Sequence, residues 1–230
     1  MNVHDLTLYA CAAAVVGPGL KVLDSSLAAP AGPRSRVPSF LRAWRPPIPV
    51  TAAAMVGVMA AFNVAQTVWP SLIGHLERRP DGAWWRAGTA LLIQSSGRLQ
   101  LLFNLAALIA VAPVAQRVFG SVRTLTLYLL PGVAAQAVSM EAWSPHGGGN
   151  SVAICGLVGA LATVCALRGP NPGLRRLALL VPAAGLVLCV MANNHGVGLL
   201  VGAALGAAMT TLDPAGRRIR LPARPETAAS

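Results

Sequence analysis

The sequence predicts an all-α membrane protein of six spanning helices with a membrane-associated first loop. Three observations carry this. Of 230 residues, 55% are hydrophobic and only 11% are charged, against about 25% charged in ordinary soluble domains. From residue 48 onwards apolar runs recur, near the length of about 20 residues that a spanning helix needs. The basic residues cluster at the ends of those runs, where charge orients a membrane protein. Ala, Gly, Leu and Val dominate while aromatics make up only 5%, which suits closely packed membrane helices.

The elements follow in order. Residues 1–47 read as a cytoplasmic tail. Its stretch 7–20 is apolar but short, and Gly17-Pro18-Gly19 breaks it, so an extra span there is the lesser alternative. Asp5 before that stretch and Lys21 after it are unlike a secretory signal. Residues 30–47, rich in proline and arginine, form a flexible basic linker. The membrane domain covers 48–213, and 214–230 is a basic cytoplasmic tail. The spans are expected at about 48–73, 99–113, 121–138, 151–167, 174–191 and 195–212. Before the second span, Gln94-Ser95-Ser96-Gly97-Arg98 interrupts an apolar stretch. That piece is expected to be interfacial or re-entrant, its backbone covered by protein.

With the N-terminal tail inside, thirteen of the eighteen basic residues lie inside. Four (Arg78, Arg79, Arg86 and Arg98) lie outside, and Lys21 is unassigned. This asymmetry supports a multi-pass protein of the cell membrane with both termini cytoplasmic. In a soluble chain a net charge of +11 would suggest nucleic acid. Here it reads as a topology signal, and no nucleic-acid partner is expected. The cysteines (Cys11, Cys155, Cys165 and Cys189) lie in apolar stretches without CxxC or metal-type spacing. No disulfide, metal or cofactor is expected, and no P-loop, GxGxxG or HExxH motif occurs. A transporter is disfavoured, because no Asp or Glu lies within the six spans.

Polar residues converge at one depth. The second, fourth and sixth spans run in the same direction, and each carries polar groups near its start: Gln100 and Asn104, Ser151, and His195 after Asn193-Asn194. Buried polar groups need partners. Ser151, Cys155 and Gly159 make one stripe, and Gly198, Gly202 and Gly206 make another. Small residues let two such helices approach closely. A crossing near their starts would bring Ser151 to His195, as a histidine-activated nucleophile requires. Gly147-Gly148-Gly149 could leave a cavity open to the outside. The first N–H groups of the fourth helix and the Asn104 amide could stabilise an oxyanion there. Each residue also has a plainer role. A serine in an apolar helix often bonds back to a carbonyl, and Asn104 could be interhelical glue. His195 could make a structural hydrogen bond. His146 is a second candidate base or a solvated loop residue.

At this point the sequence resembles the rhomboid intramembrane serine proteases over roughly residues 50–213. Gly149-Asn150-Ser151-Val152 resembles the family's Gly-x-Ser-Gly, and His195-Gly196-Val197-Gly198 its histidine followed by glycines. Gln100-Leu101-Leu102-Phe103-Asn104 resembles its His-x-x-x-Asn. Trp84-Trp85-Arg86 is similar to its first-loop Trp-Arg, and Phe119-Gly120-Ser121 to its Gly-Ser turn. The resemblance implies a Ser151–His195 dyad cleaving client transmembrane helices. It implies an oxyanion hole from Asn104, Gln100 and the Ser151 backbone N–H. Three departures bear on rate: Gln100 for histidine, Val152 for glycine where it would crowd the substrate, and Cys155 where several members hold the histidine with tyrosine. The alternative is a catalytically inactive rhomboid-like protein that binds client transmembrane helices. The dyad also implies a loss of activity as His195 protonates, below about pH 6.5 for an ordinary imidazole.

Overall fold

The computed structural model describes residues 3–26, 39–80, 83–169 and 171–213. Arg34, Arg36 and everything from Pro214 onwards, including the C-terminal tail, lie outside the described residues. Among the described residues the chain is helical, without strands beyond one isolated bridge between Arg78 and Gly147.

Eleven helices follow in order: α1 (Val3–Ser26), α2 (Ser39–Arg42), α3 (Val50–Val68), α4 (Ser71–Leu76), α5 (Arg86–Thr89), α6 (Arg98–Phe119), α7 (Ser121–Val138), α8 (Ser151–Arg168), α9 (Pro172–Ala178), α10 (Leu180–Val190) and α11 (Asn194–Thr211). A π-type turn, Ser139–Trp143, continues α7. Each expected span has its helix, the fifth divided into α9 and α10. Asn171 caps α9, its Oδ1 accepting from the N–H groups of Gly173 and Leu174. The second is longer than expected: α6 runs through Pro113 to Phe119. Proline inside a span is tolerated where neighbouring protein satisfies the freed carbonyl.

Five stretches have the length and composition to cross a bilayer: α1, α3, α6, α8 and α9–α10. The α7 and α11 helices are less apolar, carrying Arg123, Thr124 and Gln136, and Asn194 and His195. Both pack heavily on α8. The α8 helix is the hub. It buries most of its residues, Leu157, Ala160 and Leu161 among them, and leaves Ser151, Cys155 and Val158 half-buried on one face.

The contact between α8 and α11 is made by backbone. A Cβ added at Gly202 would lie 2.1 Å from the Gly156 carbonyl oxygen, and one at Gly198 would lie 2.3 Å from that of Val152. A Cβ at Gly206 would lie 2.8 Å from Ala160 Cα. The α11 glycines thus ride on Val152, Gly156 and Ala160, one residue along from the expected stripe. Of that stripe, Gly159 meets the α11 backbone at Leu199, and Cys155 Cβ would lie 3.4 Å from a Cβ at Gly198. A one-residue change rotates a helix by about 100°, which composition does not reveal.

The N-terminal segment departs most from expectation. Residues 7–20 belong to the 24-residue α1, which continues through Gly17-Pro18-Gly19. It packs chiefly on α10 and also reaches α8, α9 and α6. Gly19 meets Val158 at 3.5 Å, and further along Ser25 reaches Cys165. Hence α1 runs parallel to α8. The end of the expected basic linker is also tied down. The Arg117 guanidinium donates to the carbonyls of Ala43, Arg45 and Pro47, and Trp44 Nε1 donates to the Ile109 carbonyl at 3.0 Å. Arg168 likewise donates to the Thr210 and Asp213 carbonyls. These arginines satisfy carbonyls at or beyond helix ends.

Candidate active site

The site stands where α8, α11 and α6 begin. Ser151 is the first residue of α8 and His195 the second of α11. The glycine-mediated contact draws these starts together, and Ser151 Oγ lies 2.9 Å from His195 Nε2. His195 Nδ1 lies 2.8 Å from Asn193 Oδ1, and that oxygen also accepts from the His195 backbone N–H at 3.0 Å. An amide oxygen can only accept, so Nδ1 carries the proton and Nε2 is left as the acceptor for the serine hydroxyl. Asn193 is the N-cap of α11. It does the orienting that the sequence reading finds missing at Cys155. An asparagine two residues before the histidine is also an ordinary N-cap signal, which hid this second role.

Hydrogen-bond donors of α8 and α6 share the cleft that Ser151 lines. Asn150, the residue before α8, gives the helix no side-chain cap, because its Oδ1 accepts from Gln94 Nε2 at 2.8 Å. No side chain therefore competes for the first N–H groups of α8, which have no partner within the helix. Opposite, Asn104 Nδ2 donates to Gln94 Oε1 at 2.7 Å, leaving one amide hydrogen. Gln100 Oε1 accepts from the Ser96 N–H at 2.8 Å, so its Nε2 is the free end, close over Gly149.

Gln94 thus links Asn104 to Asn150 and is almost fully buried, at 1% exposure. Its own backbone N–H donates to Gln66 Oε1 of α3. In the sequence it looks only like a break in an apolar run. Its polarity amid apolar neighbours was the available signal.

The glycine loop does not form an opening. Gly148, Gly149 and Asn150 are buried against residues 90–95. The Gly149 N–H donates to the Ala90 carbonyl at 2.9 Å, and Ser95 Oγ exchanges hydrogen bonds with Gly148. A Cβ at Gly148 would lie 2.3 Å from Ile93 Cδ1. The glycines permit close backbone approach and cover the interrupted segment, as expected of such a segment. Arg78 clamps the same loop. It donates to the Ser144 carbonyl and to Gln136 Oε1, and Gln136 Nε2 donates to the Gly149 carbonyl. Burial lowers the Arg78 pKa from its ordinary value, and Glu77 beside it opposes that. Arg86 stacks on Trp85 and donates to the carbonyls of His75 and Glu77, bracing the first loop.

Access to the serine is lateral. A cleft of about 490 Å³ lies between α1, α6 and α8. Gln100, Asn104, Ser151 and His195 are its polar lining residues, and the rest are apolar or glycine. Val152 is not among them; it is 1% exposed in the core, so the expectation that it crowds the substrate is not met. His146 is exposed and also outside the lining. Among the described residues no group of His, Cys, Asp or Glu could hold a metal.

Comparison with known proteins identifies the family. Residues 81–213 match the Rhomboid domain family model. Over 143 residues the chain is 31% identical to the Rhomboid protease GluP of Bacillus subtilis, a match covering 59% of this chain and 28% of that protein. The chain thus spans less than a third of that relative's length. With the family match covering over half of its residues, this chain belongs to the rhomboid family of multi-pass membrane proteins.

Proposed function

We propose that this protein is an intramembrane serine endopeptidase that cleaves transmembrane helices of client membrane proteins. The observation that supports this most is the 2.9 Å contact between Ser151 Oγ and His195 Nε2, at the polar end of an otherwise apolar cleft. His195 Nε2 takes the hydroxyl proton as Ser151 Oγ bonds to the scissile carbonyl carbon. The resulting oxyanion is held by the Ser151 backbone N–H, Gln100 Nε2 and the remaining Asn104 hydrogen. His195 returns the proton to the leaving amine as the C–N bond breaks, giving an acyl-serine. A water, deprotonated by the same nitrogen, attacks the acyl carbon. The acid product leaves and Ser151 regains its proton. Asn193 holds the imidazole in one tautomer throughout.

The enzyme is assigned to the cell membrane, with the inner ends of α6 and α8, the basic stretch 30–47 and the C-terminal tail cytoplasmic on their arginines. If α1, parallel to α8, crosses as a seventh span, its start lies on the Ser151 side and not in the cytoplasm as the six-span reading expects, and Lys21 joins the cytoplasmic charges. The test is cleavage of a transmembrane-helix substrate by the purified protein in detergent, beside Ser151→Ala and His195→Ala. Cleavage by the parent, abolished in both variants, is expected. A folded parent that cuts none of several substrates would instead favour a helix-binding, inactive rhomboid.

A further inference from the structure

The α1 helix lies outside the stretch that matches the family, yet it lines the cleft that leads to Ser151. Its buried residues Cys11, Pro18, Gly19, Val22 and Leu23 secure it against its neighbours, chiefly α10. Val15, Val16, Gly19 and Leu20 contribute to the cleft, and Phe103 and Ala107 of α6 also line it. Val16 and Leu20, at i and i+4, remain 51% and 52% exposed, and Phe103 67%. They are unfilled rims of a groove.

Depth and volume say what fits. Gly19 packs at Val158, seven residues after Ser151, which is about 10 Å along the axis at 1.5 Å per residue. Val15 and Val16 lie roughly one turn nearer the serine. One helical turn, about 10 Å across and 5.4 Å high, fills about 400 Å³. The groove, at about 490 Å³, holds roughly that much chain.

Resting on the protease reading, we propose that α1 is a wall of the substrate groove and that Val16 and Leu20 determine which client side chains are accepted. The occupant is about one turn of an apolar client segment on the inner side of its scissile bond. Bulky side chains there meet α1, and small ones do not.

The test uses the full chain in detergent and two client helices that differ only in that turn, one carrying alanines and one leucines. A small fluorophosphonate reports Ser151 reactivity independently of the groove. Val16→Trp and Leu20→Trp are each expected to lower kcat/KM for the leucine client about tenfold relative to the alanine client, a usual size for pocket discrimination. Labelling by the small probe should stay within about twofold. Leu20→Ala opens the groove without adding bulk and is expected to shift the ratio the other way. A parent and variants that cleave both clients in an unchanged ratio would overturn the role of α1 alone. A folded parent that neither cleaves nor labels would overturn the protease reading and this proposal with it.

Discussion

Two faces of α8 are built from similar apolar residues and behave oppositely. Toward α11 the contact is backbone on backbone, with Gly198 and Gly202 against carbonyl oxygens. Toward α1 and α6 there is a groove bordered by Val16, Leu20 and Phe103. The first face sets the distance between Ser151 and His195, and the second leaves space beside them. Hydrophobicity drives neither difference within lipid, where helices associate through packing and hydrogen bonds. Residue size decides which face closes. A reaction site in a membrane needs both, since a serine–histidine pair tolerates little misplacement and a client must still reach it.

Breaking the closed face should have the largest effect. Gly202→Leu places side-chain atoms where the Gly156 carbonyl stands, so α11 must move off α8. A shift near 1 Å costs about a hundredfold in rate, and overpacking costs about 1–3 kcal/mol. Cleavage is expected to fall by at least about a hundredfold, with a lower Tm in detergent. Retained activity and Tm would show that the glycine contact does not set the site.

Next in size is Gln100→Ala, which removes a donor at the groove's polar end. A loss of about 10²–10³ in kcat is expected, as for other oxyanion donors, with folding unaffected. Measuring kcat and KM separately checks this. A change in KM alone would assign Gln100 to substrate binding.

Asn193→Ala should act more weakly, lowering kcat about tenfold to a hundredfold by freeing the imidazole tautomer. Asn193→Asp, which keeps the acceptor, should restore much of it. Parent and variant should both lose activity as pH falls, because a protonated Nε2 cannot accept the Ser151 proton. A rate that stays flat on the acid side would remove His195 as the base.

The smallest catalytic effect is expected at Val152, where sequence and structure part company. Restoring the family's glycine with Val152→Gly should speed cleavage if valine crowds the substrate. In the structure Val152 packs in the core, so the rate should change less than about twofold while stability drops by about 1–3 kcal/mol through lost burial and a poorer helix former. Thermal unfolding beside a cleavage assay separates the two.

From residue 48 onwards the sequence by itself determined which apolar stretches are helices, because apolar run length and flanking charge are local properties. It determined Ser151 and His195 as a pair worth testing, because polar groups are costly and few in such runs. Only the tertiary structure decided how those elements use one another. The register of α11 on α8, the partnership of His195 with Asn193, the bridging by Gln94 and the closure of the glycine loop each depend on which atoms meet across helices. A one-residue rotation changes that without changing composition. The α1 helix was only the lesser alternative in the sequence for a related reason. Gly17-Pro18-Gly19 breaks an isolated apolar run by local propensity, but Pro18 and Gly19 are buried in the bundle, Gly19 against Val158 of α8, and tertiary contact overrides the local preference.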